Sequence, residues 1–361
     1  MKQQRGWLKK MNVYVARPKV AVSFIEVADK IGKFFARKGH RVTVDIAEKL
    51  YLPNIALKIP FEFITWDYYI LICTVARNAI GWFDLYSQPM YSKRAFFYGV
   101  VEGTTLCPEE YVRKLDYKLV VPSNFCKEEL EKMGVKGIKI VKHGIDPLEF
   151  DVPQEEVKAF RQRFPSDAYF IYYVASGDSR KGVDKLLEAV KIVNTKYKLF
   201  LQIDLFPSFE EKWRAYRDKL KLENRVFINP SFGKMAKREI ATKMHAQDLF
   251  TVHAATAEGF GMPIVENMIC GKCPIVVDAP PMNEHFTEKE GYKIPYTHIE
   301  YERHVDWMIF KHHIYNPEDL ADTIIYAIEH PRETEEKGIR AREKAMKEYH
   351  YMKTYEQFLR I

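Results

Sequence analysis

The stretch "HAATAEGFGMPIVENMICGKCPIVVD", residues 253–278, reads as strand, tight loop, helix and strand. Gly259 and Gly261 allow a sharp backbone turn and a close approach to a ligand. Pro263 suits a first helical turn, where its missing N–H is no loss. The helix is expected to reach about Cys270 and to close at Gly271. Its free N–H groups, beside a glycine loop, form an anion site. The helix dipole alone is worth only about 0.3–1 kcal/mol for an exposed charge, so several backbone donors aimed at a phosphate must add to it. Glu266 lies one turn into this apolar helix, among Ile264, Val265, Met268 and Ile269. A lone ionised carboxylate is costly to bury there and needs a partner. Two adjacent ribose hydroxyls would serve, with charge-assisted bonds of roughly 1.5–3 kcal/mol each. A salt bridge to a nearby lysine, or an exposed helix face, would serve equally.

Outward from this stretch the chain alternates β-rich runs with amphipathic helices, the pattern of an α/β protein with parallel sheets. A first series holds strands at 11–16, 41–46, 68–75, 94–101, 117–123 and 138–144. Its first helix carries Phe24, Val27, Ala28, Ile31 and Phe35 on one face, and a later one begins at the N-cap Ser123 and ends at Gly134. A second series holds strands at 169–176, 197–203, 225–229, 248–254 and 272–278, with helices after Lys181 and near 208–221 and 234–245. From about Pro317 to Leu359 the chain is charged and helical, interrupted at Pro331. Two such series of similar length predict two Rossmann-like domains with a cleft between them. The expected divisions are a basic arm at 1–10, an N-terminal domain at 11–148, a C-terminal domain at 149–335, and a terminal helix at 336–361 returning toward the first domain.

Bulk properties narrow the function. A chain of 361 residues with 47% hydrophobic and 14% aromatic content is ample for two packed cores. A net charge of +7, with Lys and Arg interspersed among acids, fits an anionic ligand and argues against nucleic acid. No apolar run reaches the roughly 18 residues of a membrane span, and no signal peptide opens the chain, so a cytoplasmic location is expected. The basic arm with Trp7 and the aromatic run "WFDLYSQPMYSKRAFFY" (82–98) leave peripheral contact with the inner face of a membrane open; a solvated tail and a core segment are the plainer readings. Five scattered cysteines point to a reducing compartment. Cys270 and Cys273 form a CxxC without a second pair or histidine cluster, and read as structural.

The spacing in "EGFGMPIVE" (258–266) resembles the E-x7-E signature of the GT4 glycosyltransferases, retaining enzymes of the GT-B fold. Three further segments resemble that family in the same order: "VPSNFCKEELEKMGV" (121–135), "IVKHGIDPLEF" (140–150), with His143 in place of the usual Asn, and "SGDSRKGVDKLLEAV" (176–190). The four segments fall between residues 121 and 266.

The resemblance implies roles residue by residue. Glu258 would hold hydroxyls of the donor sugar and Glu266 the nucleotide ribose. The segment Gly259, Phe260, Gly261, Met262 and Pro263 would line the donor site at the helix N-terminus. Lys181, before Gly182, would face the diphosphate and stabilise the leaving group, where positive charge acts on charge as it develops. Arg180 would assist; the family often carries an Arg directly after the loop glycine, whereas Asp178 follows Gly177 here. Asn283 and Glu284 in "PPMNEHF" match the family's usual Glu, and Glu284 would close the donor site. His253 reads as packed and hydrogen-bonded. Two departures concern the N-terminal domain. "RPKVAVSF" (17–24) lacks the family's Gly-Gly loop, and Glu102-Gly103 stands where many members have His-Gly, which makes Glu102 a candidate for binding or deprotonating the acceptor.

The implied activity is transfer of a sugar, of hexosyl type, from a nucleotide diphosphate-sugar to a glycan, lipid-linked or other hydroxyl acceptor, by front-face attack and with no cofactor. No Asp-x-Asp occurs, and no metal is expected. A sugar phosphorylase or nucleotide-sugar epimerase of the same fold, and a non-catalytic nucleotide- or glycan-binding module, are the alternatives. A retaining glycosidase would place the carboxyls of Glu258 and Glu266 about 5–5.5 Å apart, but gives the glycine loop and Lys181 nothing to do.

Overall fold

The computed structural model describes residues 10–19, 21–47, 66–305 and 308–361. Residues 1–9 of the basic arm, with Trp7, lie outside the described residues. The first half contains β1 (Asn12–Arg17), α1 (Val22–Arg37), β2 (Arg41–Ile46), β3 (Trp66–Thr74), α2 (Arg77–Tyr86), β4 (Ser92–Val100), β5 (Gly103–Thr105), α3 (Glu109–Val112), β6 (Leu119–Val121), α4 (Asn124–Glu131) and β7 (Lys139–Ile140). The second contains α5 (Gln154–Arg161), β8 (Tyr169–Val174), α6 (Val183–Val193), β9 (Leu199–Asp204), α7 (Glu210–Lys219), β10 (Val226–Asn229), α8 (Lys237–Ala246), β11 (Phe250–His253), α9 (Met262–Ile269), β12 (Cys273–Val277) and β13 (Tyr292–Ile294). An antiparallel pair, β14 (His298–Val305) and β15 (Met308–Ile314), precedes α10 (Pro317–Glu329), α11 (Pro331–Glu348) and α12 (Tyr351–Thr354).

The N-terminal strands form one parallel sheet in the order β2-β1-β3-β4-β6-β7. Its central strands are apolar on both faces because both are covered. Val13, Val15, Ile70, Ile72 and Tyr98 pack on one side, while Tyr14, Ala16, Tyr69, Leu71 and Phe97 pack on the other. The aromatic run 82–98 is only partly core: Phe83, Phe96, Phe97 and Tyr98 are buried in α2 and β4, while Leu85 and Met90 are exposed. The C-terminal domain carries two parallel sheets, β10-β9-β8 and β11-β12-β13, with β11 set against β8. Gln247 spans that seam, its Oε1 accepting from Tyr172 N at 3.0 Å. Among the described residues no helix is long and apolar enough to cross a membrane.

A fourth sheet ties the two halves together. β5 from the N-terminal half pairs antiparallel with β15, which pairs with β14. At the end of the chain α11 runs unbroken through the boundary expected at 335/336. Beyond it Tyr349, Tyr351, Tyr355 and Phe358 are fully buried. Ile145 N donates to Tyr349 O at 2.7 Å, Tyr351 N to Ile145 O at 3.0 Å, and Gly144 N to Tyr355 Oη at 2.9 Å. The Phe358 ring sits 5.7 Å from that of Tyr98, so this segment completes the core of the first domain.

Candidate active site

The cleft between the domains encloses about 450 Å³. Glu102, Arg180, Lys181, Glu258, Gly259, Phe260, Gly261, Met262, Pro263 and Glu266 all line it, so one site gathers every expected residue except Glu284. The opposite wall is built by Ala21, Val22, Ser23 and Phe24 at the start of α1, the segment that lacks the glycine pair. Ala21 holds the N-cap position with extended backbone and no side-chain cap.

The two glycine loops approach protein as closely as they could approach a ligand. A Cβ on Gly182 would lie 2.0 Å from Ala254 O, and the residue has a φ of +58°, so only glycine lets this loop seat on the end of β11. A Cβ on Gly259 would lie 2.3 Å from Val100 Cγ1, so this glycine serves contact between the domains. Its carbonyl accepts the Ser123 hydroxyl at 2.7 Å, while the same Ser123 oxygen caps α4 by accepting Cys126 N at 3.1 Å. Gly261, with a φ of +88°, is the N-cap of α9, which opens at Met262 and ends at Ile269.

At the centre lies a buried ionic cluster. Lys181 Nζ is 2.5 Å from Glu258 Oε1, and Arg180 Nη1 is 3.1 Å from Glu258 Oε2. Arg180 also reaches Glu102 Oε1 at 2.9 Å and Asp178 Oδ1 at 3.4 Å, with its guanidinium 5.4 Å from the centre of the Phe310 ring on β15. His253 Nε2 is 3.2 Å from Glu258 Oε1, in the packed position expected of it. Burial alone would raise the Glu258 carboxyl, but Lys181 and Arg180, with His253, hold it well below its ordinary range. Burial wins at Glu102, which is lifted despite Arg180 and Lys181, with Glu258 and Asp178 adding to the rise. Burial lowers His253, against the pull of Glu258.

Glu266 takes the lysine alternative. Lys237 Nζ lies 2.5 Å from Glu266 Oε1 and 2.9 Å from Glu26 Oε2 on α1. Burial would lower the lysine, but Glu266 and Glu26 hold it charged, above its ordinary range. Beyond it the cleft turns apolar, with Phe206, Phe232 and Met235 along its wall.

Glu284 is placed elsewhere. Its Oε2 accepts from Asn124 N at 2.9 Å and from Asn124 Nδ2 at 3.1 Å, and its Oε1 from Phe125 N at 2.8 Å. It therefore caps α4 across the domain interface and does not line the cleft. A carboxylate at a helix N-terminus satisfies orphan donors and the dipole at once. Asn283 turns away to Asp278 Oδ1 at 2.9 Å. Cys270 and Cys273 are buried, and burial pushes both thiols up to about 12, which keeps them protonated. Among the described residues no group of three or more His, Cys, Asp or Glu side chains is placed to hold a metal ion.

The model of the family "Glycosyl transferases group 1" matches residues 154–345. The chain is 28% identical over 293 residues to "Uncharacterized glycosyltransferase 335" of Sulfolobus islandicus rod-shaped virus 1, covering 76% of this chain and 82% of the relative. In fold it is similar to sucrose-phosphate synthase from Thermosynechococcus elongatus, with a TM-score of 0.76 at 14% identity over 97% of this chain and 98% of that one. It is also similar to HepE of Anabaena, solved in complex with UDP-glucose, with a TM-score of 0.72 at 16% identity over 97% and 98%. With the family match spanning more than half of its residues, and an α/β architecture shared along nearly its whole length, the chain has the GT-B fold and belongs to the group 1 glycosyl transferases.

Proposed function

We propose that the protein moves a hexosyl group from a nucleotide diphosphate-sugar to a hydroxyl acceptor with retention of anomeric configuration. The observation that carries this is the cationic pair Lys181 and Arg180 on Glu258, in the same cleft as the N-terminus of α9 and Glu266. On this reading the diphosphate lies against the start of α9 and Lys181, where backbone donors and an ammonium meet the charge that develops as the bond breaks. Lys181 then turns from Glu258 to phosphate, and Glu258 is freed to hold hydroxyls of the sugar. The ribose shares Glu266 with Lys237, and the base lies along the apolar wall of Phe206, Phe232 and Met235. The acceptor oxygen enters beside the departing diphosphate, from the side of Glu102 and α1. Glu258, engaged by Arg180 and the sugar hydroxyls, is no nucleophile in this scheme, and the lysine and arginine do the work a metal would do. Similarity in fold to HepE, whose structures hold UDP and UDP-glucose, supports a nucleotide-sugar donor and makes uridine the first base to test. A glycan or lipid-linked acceptor, met in the cytoplasm or at a membrane surface, completes the proposal.

The test is thermal stabilisation of wild type and Glu266→Ala by UDP, GDP and ADP, followed by NMR of the product formed from the matching nucleotide-glucose. A shift with one nucleotide, reduced in the variant, and a product of unchanged anomeric configuration are expected. A folded wild type that responds to none of the three nucleotides overturns the reading, and an inverted product overturns its stereochemistry.

A further inference from the structure

Helix α8 stands between two cavities. Lys237 and Ile240 face the cleft, whereas Arg238, Glu239, Thr242 and Lys243 line a second cavity of about 900 Å³ that shares no residue with it. Sites for small ligands enclose about 300–1,000 Å³, so the second cavity has room for several linked rings. Its floor is the face of the sheet at β9 and β10, the latter an outermost strand. Phe227 stands beside Gln202 and Asn229 beside Asp204 in the parallel register, so these four side chains share one face.

Asp204 orients this floor. It is fully buried, and its carboxylate accepts from Tyr172 Oη at 2.8 Å, Lys243 Nζ at 2.8 Å, Asn229 Nδ2 at 3.0 Å and Gln202 Nε2 at 3.2 Å. Burial would raise its pKa, but Lys243, with Asn229 and Tyr172, holds it below its ordinary range and ionised. An ionised carboxylate only accepts, so both amides must turn their NH2 groups to it and their oxygens away. Among the described residues no donor meets Gln202 Oε1 or Asn229 Oδ1, although Gln202 is only 8% exposed. Two oriented, uncharged acceptors are thus left to the cavity that both residues line. Beside them the Phe227 ring is 41% exposed, braced by the nearly parallel ring of Phe200 at 6.3 Å and by Phe164 at 6.0 Å. Arg163, exposed at the same cavity, lies over the Phe160 ring at 4.9 Å and has no carboxylate partner among the described residues.

This lining selects its ligand. A phosphate would meet the negative ends of two amide dipoles, and an ammonium would meet Arg163, Arg238 and Lys243. An apolar side chain would cover Phe227 but leave both amide oxygens without the water they now have, a costly exchange. A saccharide satisfies all three features: its hydroxyls donate to the amide oxygens and accept from Arg163, while its C–H face lies on the ring.

We propose that this cavity binds an oligosaccharide, as a glycan site separate from the catalytic cleft. It holds a glycan acceptor by a part remote from the reacting hydroxyl and raises its effective concentration at the cleft. That use rests on the glycosyl-transfer reading; the binding itself does not.

Calorimetry and isotope-filtered NMR test it with maltotriose, cellotriose, mannotriose and chitotriose as probes, on wild type, Phe227→Trp and Phe227→Leu. The position is exposed on an outermost strand, so all three are expected to fold, which melting temperatures check. Wild type is expected to bind at least one trisaccharide, with cross-relaxation between the Phe227 ring protons and sugar C–H protons. Phe227→Leu keeps apolar bulk but loses the ring, and affinity should fall about 2- to 10-fold; Phe227→Trp should keep it. UDP affinity should be equal in all three. Failure of all four sugars to bind wild type, or equal affinity in a folded Phe227→Leu, overturns the inference. So does uridine on the ring in place of sugar, or a dimer that Phe227→Leu abolishes, which would make a nucleoside or a second copy the occupant. A wild type that binds a trisaccharide on Phe227 but no nucleotide supports this inference and overturns the donor assignment above.

Discussion

Lys237 Nζ lies 2.5 Å from Glu266 Oε1 and 2.9 Å from Glu26 Oε2, so one ammonium joins the helix after the glycine loop to the first helix of the other domain. Lys237→Met would leave the buried Glu266 without its cation, while Glu26 keeps Lys30 at 3.6 Å. Removing one partner of a buried ion pair costs about 3–5 kcal/mol. Urea unfolding should show a loss of that order for Lys237→Met, and recovery of a good part of it in Lys237→Met/Glu266→Gln. A single variant as stable as wild type would mean that the carboxylates are relieved by water or protonation.

The central cluster sets three carboxylates, Glu102, Asp178 and Glu258, against Arg180 and Lys181. A diphosphate must enter a site that already leans negative. Glu102→Gln removes a repelling charge and should bind UDP more tightly than wild type, while Lys181→Ala should bind it more weakly. Loss of a group that stabilises developing charge lowers kcat by about 10²–10³-fold, so transfer by Lys181→Ala should fall at least that far. Calorimetry and initial rates check both, and a Lys181→Ala enzyme of normal kcat would remove the lysine from the mechanism.

Acid should destabilise the protein early. Burial pushes His143 down to about 3, and His285 and His313 down to about 4. Unfolded histidine titrates near 6.5. Below that value the unfolded chain binds protons that the folded one refuses, so stability is full above about pH 6.5 and lost as pH falls. Each fully neutral histidine contributes a slope of about 1.4 kcal/mol per pH unit. Denaturant midpoints at pH 7.5, 6 and 5 should drop steadily, ahead of the carboxylate range; a flat profile would show that these rings are more hydrated than the fold indicates.

Glu284→Ala should act on domain closure, away from the donor contacts. It removes the acceptor for Asn124 N and Phe125 N, and a lost N-terminal cap costs about 0.5–2 kcal/mol. Because α4 and Glu284 belong to different domains, the expected signature is a lower melting temperature with a raised KM for the donor and little change in kcat. A large fall in kcat at unchanged KM would return Glu284 to the donor site.

Much of this was legible in sequence because local rules and tertiary context agree. The strand–loop–helix of 253–278 has its proline, glycines and apolar face where the backbone needs them, and the structure repeats its helix to within a residue and its strands to within two. The antiparallel pair β14 and β15 was missed, though "HIEYERHV" (298–305) alternates as a half-buried strand does. Lys30 and Lys237 could not be found from pattern alone. Each occupies a helical position that reads as solvated, and each is buried only because carboxylates from distant segments, Glu149 for one and Glu266 for the other, arrive beside it. Glu284 is a different case: only the resemblance implied a donor contact for it, and the helix it caps lies 160 residues earlier in the chain, which no local signal reports.

The clasp of Tyr349, Tyr351, Tyr355 and Phe358 on Gly144, Ile145 and Tyr98 also has a bearing on synthesis. A nascent chain that has released its first half from the ribosome has every strand of the six-stranded sheet, but lacks the side chains that cover one end of it. Tyr98 and Phe96 stay without the Phe358 ring until the second half has been translated. Domains generally mature in the order in which they emerge. Here the domain that emerges first is finished last, because its core is completed by the last residues translated.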